Sequence, residues 1–464
     1  WTLMDKDQNI TRFDANGTMV SQEDANGNFL LYEMDETGLL KTVTTDKNQS
    51  LKMQYNDQNL LKEIELADGT KMQYTYDTAG DLTNAAHVSA DGTQSVQEPY
   101  AYDKEHHMTA ITDAEGNDYG VTYEGEKAVR FTKPDGEYQQ ITYGDGTTMV
   151  SLHKSDGTKI SEDSMTYEKN SGKLLSSTNG NGVKTTYQYE NTENPLLQTG
   201  TETTVCYQTL ENNQVNFKND VKVTTTTSYD SNENVVEEVD ETGQVTSTTY
   251  GTGKEFSLAQ TEVIKNSEGE TTSDTTYDYD DHGNTILEYE DIGDSRTEYT
   301  YDEDGEVKEE QSYENVKSEG DAGVLTSEQT TQKEEADHKV SETLTSTQGE
   351  VTQEDTTSYD AMGREVSSTD QNTGEVTTIT YDFMGRAVKT ERSLKDQEGK
   401  DIVQTEIKSY NANGSVTSET SSAGVTIKYT YDNRNRVTTT KEEADNKTKT
   451  TETSYGYETA VIHT

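Results

Sequence analysis

The residues best suited to chemistry in this chain are carboxylates, and their spacing first suggests a cation loop. In "DYDDHGNTILEY", residues 278–289, Asp278, Asp280 and Gly283 stand where positions 1, 3 and 6 of a calcium-binding loop would be. The match stops there, because position 5 is His282 and position 12 is Tyr289 in place of the bidentate glutamate. The related "YDEDGEV" at 301–307 has Thr300 where the first acid belongs. Asp or Asn followed by Gly is the ordinary chemistry of a chain reversal, and these segments read as turns. Adjacent His106 and His107 would face opposite sides of a strand, so they read as a turn or surface pair rather than a metal site.

Other chemistries find no support. Acidic pairs are so common that none is marked as a general acid and base. Serine, threonine and histidine occur without a nucleophile motif such as Gly-x-Ser-x-Gly. Cys206 is the only cysteine, so no internal disulfide or thiolate metal site can form, and it reads as a buried or incidental thiol. Asn9-Ile10-Thr11 and Asn16-Gly17-Thr18 match glycosylation sequons, but chance supplies such matches in an Asn- and Thr-rich chain. The reading is a non-enzymatic chain without a cofactor.

The elements that carry these residues follow one pattern. "YDAMGR" at Tyr359, Asp360, Gly363 and Arg364 returns as "YDFMGR" at Tyr381, Asp382, Gly385 and Arg386, 22 residues on. Clear relatives stand at Tyr76-Asp77 with Gly80, Tyr279-Asp280 with Gly283, Tyr301-Asp302 with Gly305, and Tyr431-Asp432. Worn copies begin at Tyr55, Tyr102, Tyr167, Tyr229 and Tyr410, and Phe13 heads an aromatic variant. Before each anchor, side chains alternate, as in Met72, Tyr74, Tyr76 or Val425, Ile427, Tyr429, Tyr431. Period-two spacing of Tyr, Thr, Val and Ile predicts a half-buried strand. The Asp/Asn-Gly step then reverses the chain into a second strand, and a further short turn leads to the next anchor. One unit is therefore a hairpin, held in register because a one-residue slip would carry its tyrosines to the wet face.

Composition fits a folded repeat array. Hydrophobic residues make up 28% of the 464, and the formal net charge is −51, values that alone suggest disorder. Against that stand 29 tyrosines at regular places and only three prolines, Pro99, Pro134 and Pro195. So few apolar residues per unit cannot hold an isolated hairpin in water, so neighbours must stabilise one another, and loss of an interior repeat should harm more than a surface change. The prediction is an all-β chain: β-hairpins in one long antiparallel strip that curves or spirals into a hollow shell. Residues 1–464 form one continuous array, with longer hairpins or loops around 190–223, 313–358 and 393–406. The acidity disfavours nucleic acid and anionic lipid as partners. No apolar run approaches the ~20 residues of a membrane helix. Trp1 stands inside a repeat already under way, so the chain reads as cut from a longer one, with targeting signals outside it.

The Tyr-Asp-x-x-Gly-Arg copies at 359 and 381 and their relatives resemble the YD repeat of the Rhs family. That group includes bacterial Rhs and wall-associated polymorphic toxins, toxin-complex cocoon subunits and the teneurin barrel. The resemblance covers nearly the whole chain, although Gly-Arg is often replaced, as by Gly80-Asp81 or Asn435-Arg436. It implies a secreted or cell-surface bacterial shell wall, cell-wall associated, enclosing an effector or toxin domain of the same polypeptide. The family's Asp-Pro-x-Gly-Leu segment, associated with self-cleavage, has no counterpart here: the prolines follow Glu98, Lys133 and Asn194. No protease or toxin role is therefore carried onto these residues. The alternative is a cell-surface adhesion or glycan-binding wall, in which tyrosine rows would stack on sugar rings.

Overall fold

In the computed structural model every residue is described except 6–7, 192–193, 212–213, 319, 337–338, 349–350, 396–397, 446, 456–459 and 464. The side chains of 205–221, Cys206 among them, and of 254, 334–342, 346, 351 and 460–463 also lie outside the described set. The described chain is β-structure with one short 3-10 turn, Gly253–Glu255. Its 39 strands run from β1 (Thr2–Met4) to β39 (Ala460–His463), and each pairs antiparallel with the next in sequence. The strip is thus a single meander.

Each anchor tyrosine ends an even-numbered strand, and the ladder takes a bulge at that point, as between Ser358 and Tyr359 or Thr380 and Tyr381. The bulge bends the strand into the turn that follows. Turn glycines Gly80, Gly283, Gly305, Gly363 and Gly385 adopt φ of +98°, +89°, +79°, +73° and +76°. Where glycine is replaced, Asn59, His106, Glu233 and Asn435 take the same left-handed conformation. Most strands have five to nine residues, but β19 (Gly200–Glu211) and β20 (Gln214–Tyr229) form a hairpin of 12 and 16. β28 (Val324–Ala336), β29 (Lys339–Gln348) and β34 (Asp401–Tyr410) are long as well, and β33 (Ala387–Lys395) pairs with β34.

The strip has almost no core. Among the described residues only Ala86, Val88, Tyr289 and Val316 are buried apolar side chains. The accessible surface is 28258 Å²; a compact protein of 51.6 kDa would expose about 17,000 Å². A single-layer wall with two open faces accounts for the excess.

The wall coils onto itself. Turns after tyrosine-ended strands in the second half dock on the opposite edge of the first half, at separations of 257 to 300 residues. Asn284 bonds Asn26 at 2.8 Å, Lys47 bonds Asp304 at 2.7 Å, and Arg364 reaches Asp68 at 3.4 Å. Phe383 meets the His87 ring edge-on, Asn413 bonds Asp113, and Arg434 bonds Asp135 at 2.9 Å. The turn between β7 (Leu61–Glu65) and β8 (Lys71–Tyr76) holds Asp68. It lies under the turn between β30 (Val351–Tyr359) and β31 (Glu365–Asp370), which holds Arg364, 23 strands later. At ~4.8 Å per strand one circuit is at least about 110 Å around, or about 35 Å across between backbones. The chain therefore makes between one and two turns of a hollow shell.

Gly305 shows how closely the coils approach. A Cβ there would fall well inside van der Waals contact of the Asn26 side chain, whereas one on Gly17, at φ +87°, would meet nothing within 4 Å. Gly17→Ala should cost about 1–2 kcal/mol, the strain of a left-handed alanine. Gly305→Ala should cost more, about 2–4 kcal/mol, because it also displaces the coil contact. Chemical denaturation of the two variants checks the difference, and equal losses would mean that the coils do not press together at this point.

Candidate functional site

The repeated site is a clamp at each Tyr-Asp turn. The carboxylate of Asp360 accepts the backbone N–H groups of Met362 and Arg364, at 2.9 and 3.1 Å. Asp382 does the same for Met384 and Arg386, and Asp432 for Arg434 and Arg436. Asp280 serves His282 and Asn284, Asp302 serves Asp304 and Glu306, and Asp77 serves Ala79, Gly80 and Asp81. Asp280, the carboxylate at the third position of the calcium-loop spacing, is thus spent on its own turn. Among the described residues no group of three or more His, Cys, Asp or Glu side chains is placed to hold a metal ion.

Where the turn ends in arginine, after Gly363, Gly385 or Asn435, that arginine joins one repeat to the next. The Nε of Arg364, Arg386 and Arg436 each donates to the second oxygen of its turn aspartate at 2.8 Å. The same guanidinium lies over the next repeat's tyrosine: Arg364 over Tyr381 at 5.1 Å, Arg386 over Tyr410 at 4.9 Å, and Arg436 over Tyr455 at 4.6 Å. A desolvated cation over an aromatic face is worth about 0.5–2 kcal/mol. Burial pushes the carboxyl of Asp360 upward, but the N–H and guanidinium of Arg364 outweigh it and hold that carboxyl below its usual range.

The tyrosine hydroxyls complete the clamp. Tyr76 donates to the Leu61 carbonyl, Tyr279 to Ala259, Tyr301 to Thr285, Tyr381 to Glu365, Tyr410 to Ala387 and Tyr431 to Val416. In most copies the acceptor lies 15 or 16 residues upstream, at the start of the preceding strand, just past the previous clamp. The sequence pattern singles out the tyrosines but not these acceptors, for which the constant spacing is the available signal. Tyr359 marks the same bulge in β30.

The anchors share one face of the sheet, and carboxylates share it with them. Tyr277 pairs with Glu288, and Tyr299 with Glu310. Burial, then Glu288 and Glu310, pushes the Tyr299 hydroxyl up to about 12. What such an arrangement does is mechanical: each clamp holds an aspartate turn, a cation and the next hairpin's ring in one stack, and the seam then holds coil on coil.

Comparisons with known proteins agree with this geometry. The model of the RHS Repeat family matches residues 55–94 and 410–448. No curated protein matches the chain. Among solved structures, the crystal structure of TcdB2-TccC3-TEV superposes with a TM-score of 0.54 at 12% identity, over 92% of this chain and 24% of that one. The crystal structure of TcdB2-TccC3 gives 0.52 at 12% identity, over 98% and 29%. The Tc holotoxin pore of Photorhabdus luminescens, carrying a mutation in TccC3, gives 0.51 at 12% identity, over 96% and 28%. The chain spans 24% to 29% of the length of these relatives, and at this identity the likeness speaks for the fold. RHS repeats are thus recognised at 55–94 and 410–448, the same Tyr-Asp clamp recurs between them, and in both respects the chain resembles the Rhs, or YD-repeat, family.

Proposed function

We propose that this chain is a non-catalytic wall segment of a secreted or cell-surface shell that encloses a toxin or effector polypeptide. The observation that carries this reading is the seam, which turns a strip without a core into a container about 35 Å across. The tyrosine face is the inner one. In β6 (Ser50–Tyr55), β32 (Glu375–Tyr381) and β36 (Thr426–Tyr431), side chains leading to the anchor are half-buried and the intervening ones are mostly exposed. With no second layer on either face, curvature explains the asymmetry, since side chains converge on the concave side and splay on the convex one. Carboxylates beside the rings, such as Glu288 and Glu310, make that surface acidic and favour a basic cargo through the summed field. The anchor hydroxyls are engaged on the wall's own carbonyls, which supports a structural role over a sugar-stacking platform.

A short, protease-sensitive basic polypeptide fused to the chain tests the reading. Trypsin should cut the fused passenger much more slowly than the free one, and high salt should speed its digestion by weakening retention. Digestion at the free rate at every salt concentration would rule the container out.

A further inference from the structure

One joint in the strip is built differently. β10 (Ser95–Tyr102) pairs with β9 (Leu82–Val88) through residues 95–99 and with β11 (Met108–Thr112) through residues 100–102. No residue belongs to both ladders. Among the described residues no other interior strand is divided in this way; β8, for example, uses residues 71–73 on both sides. A strand bonded on both sides over the same residues transmits stiffness across the sheet. β10 connects its two neighbours only through the backbone step from Pro99 to Tyr100, and Pro99 has no N–H to give. The β10–β11 ladder is only three pairs long, with a bulge between Ala101 and Tyr102.

Two histidines brace this joint. "YDKEHH" at 102–107 lies position for position on "YDAMGR" at 359–364, so His106 takes the glycine's place and His107 the arginine's. His106 adopts φ +70°, as the glycine does. His107 Nδ1 bonds Asp103 at 3.0 Å, the counterpart of the Arg364–Asp360 pair. Its ring stacks on Tyr123 at 4.6 Å and 16°, the counterpart of Arg364 over Tyr381. Its Nε2 reaches Glu126 in the next turn at 3.2 Å, and His106 Nδ1 reaches back to Asp81 in the previous turn at 2.8 Å. Three successive turns are thus tied across β10 by imidazoles, where other copies use a permanently charged guanidinium.

We propose that His106 and His107 form a proton-dependent latch on the β10 joint. With both rings protonated, Asp81–His106 and Asp103–His107–Glu126 hold strands β1 to β9 against β11 and onward; loss of the protons lets the wall flex there. His106 faces Asp81, with Asp77 and Asp103 beyond it, and His107 faces Asp103 and Glu126. The nearby Lys104 is engaged by Glu105 at 3.1 Å. Hydrogen bonding to Asp81 raises the His106 pKa, and hydrogen bonding to Glu126 and Asp103 raises that of His107. The latch is therefore fully present below the ordinary histidine range and is lost as pH rises through the raised folded values.

Amide hydrogen exchange on the whole chain, corrected for intrinsic rates and compared between about pH 6 and about pH 9, tests the latch. Protection at residues 100–102 and 108–111 should fall several-fold at the higher pH, while residues 375–381, beside the Arg364 clamp, keep theirs. The double variant His106→Gly with His107→Arg rewrites the turn as its arginine-bearing relatives and should stay protected at both pH values. His107→Gln should be poorly protected at both. Equal protection of the unmodified chain at the two pH values, or a persisting fall in the Gly/Arg variant, would overturn the proposal.

Discussion

Arg434→Glu unseats the second coil from the first while leaving the strip's β-structure intact. The Arg434 guanidinium crosses 299 residues of sequence to Asp135 at 2.9 Å and also reaches Glu137 at 3.3 Å. The three side chains are 23%, 27% and 11% exposed, so solvent screens the contact only in part. Removing one partner of a buried pair costs roughly 3–5 kcal/mol. Partial exposure places this site near the low end, about 3 kcal/mol, and a glutamate there adds like-charge repulsion against two carboxylates. The ladder bonds of β36 are local to the strip and do not need the seam. Far-UV circular dichroism should therefore be unchanged, while small-angle scattering shows a longer, more open particle. A charge swap, Arg434→Glu with Asp135→Lys, should recover part of the compact profile, and the double-mutant cycle isolates the seam from effects on the turn itself. An unchanged scattering profile for Arg434→Glu would mean that the remaining seam contacts, from Asn26–Asn284 to Asp113–Asn413, seat the coil without Arg434.

The strip was legible in the sequence because its signals are local. Alternation before Tyr76 or Tyr431, an acidic or amide residue to cap the turn, and a residue able to take positive φ all lie within a dozen residues of one another. The partners of Arg434 and Arg364 were not legible. Which turn meets which is set by the circumference, the summed width of some 23 strands, and nothing near Arg434 encodes Asp135. At Asp280 the turn chemistry is local in the same way: one carboxylate oxygen accepts the N–H groups of His282 and Asn284, two and four residues on. The adjacent histidines were legible only as a turn pair. Laying "YDKEHH" on "YDAMGR" shows which of them replaces the arginine, but the bond from His106 back to Asp81 needs the strand register.

Acid should dismantle the wall from the lower edge of the ordinary carboxylate range downward. Asp14, Asp35, Asp77, Asp91, Asp240, Asp280, Asp360 and Asp432 are held below their usual values by groups of their own turns. For Asp14 and Asp77 the largest influence is the N–H of Thr18 and Asp81, and for Asp35 and Asp240 it is the hydroxyl of Thr37 and Thr242. Ser89 and Thr93 bring Asp91 down to about 2. In Asp280 and Asp432 burial pushes upward and is outweighed by Asn284 and Arg436. A depressed folded pKa contributes stability that is complete above the unfolded value, ~3.9 for Asp, and is lost as pH falls through the folded one. A second effect opposes this at first: the −51 charge shrinks as pH approaches the pI of 4.3, which relieves self-repulsion. Stability should thus hold or rise from neutral pH to about pH 5, then collapse between about pH 4 and about pH 2 as the turns protonate. Below the pI the 38 Lys and Arg and seven His add repulsion of the other sign. The chain already shows that the charge is dispensable at single turns: Asn56 accepts the N–H groups of Gln58 and Leu60, and Asn411 that of Ser415. Asp→Asn at several anchors together, beginning with Asp77, Asp360 and Asp432, should keep the β-signal at neutral pH and lower the acid midpoint. Circular dichroism followed from neutral pH to about pH 1.5 measures it. A midpoint above about pH 4.5, or one that several such substitutions leave in place, would show that these carboxylates do not hold the turns.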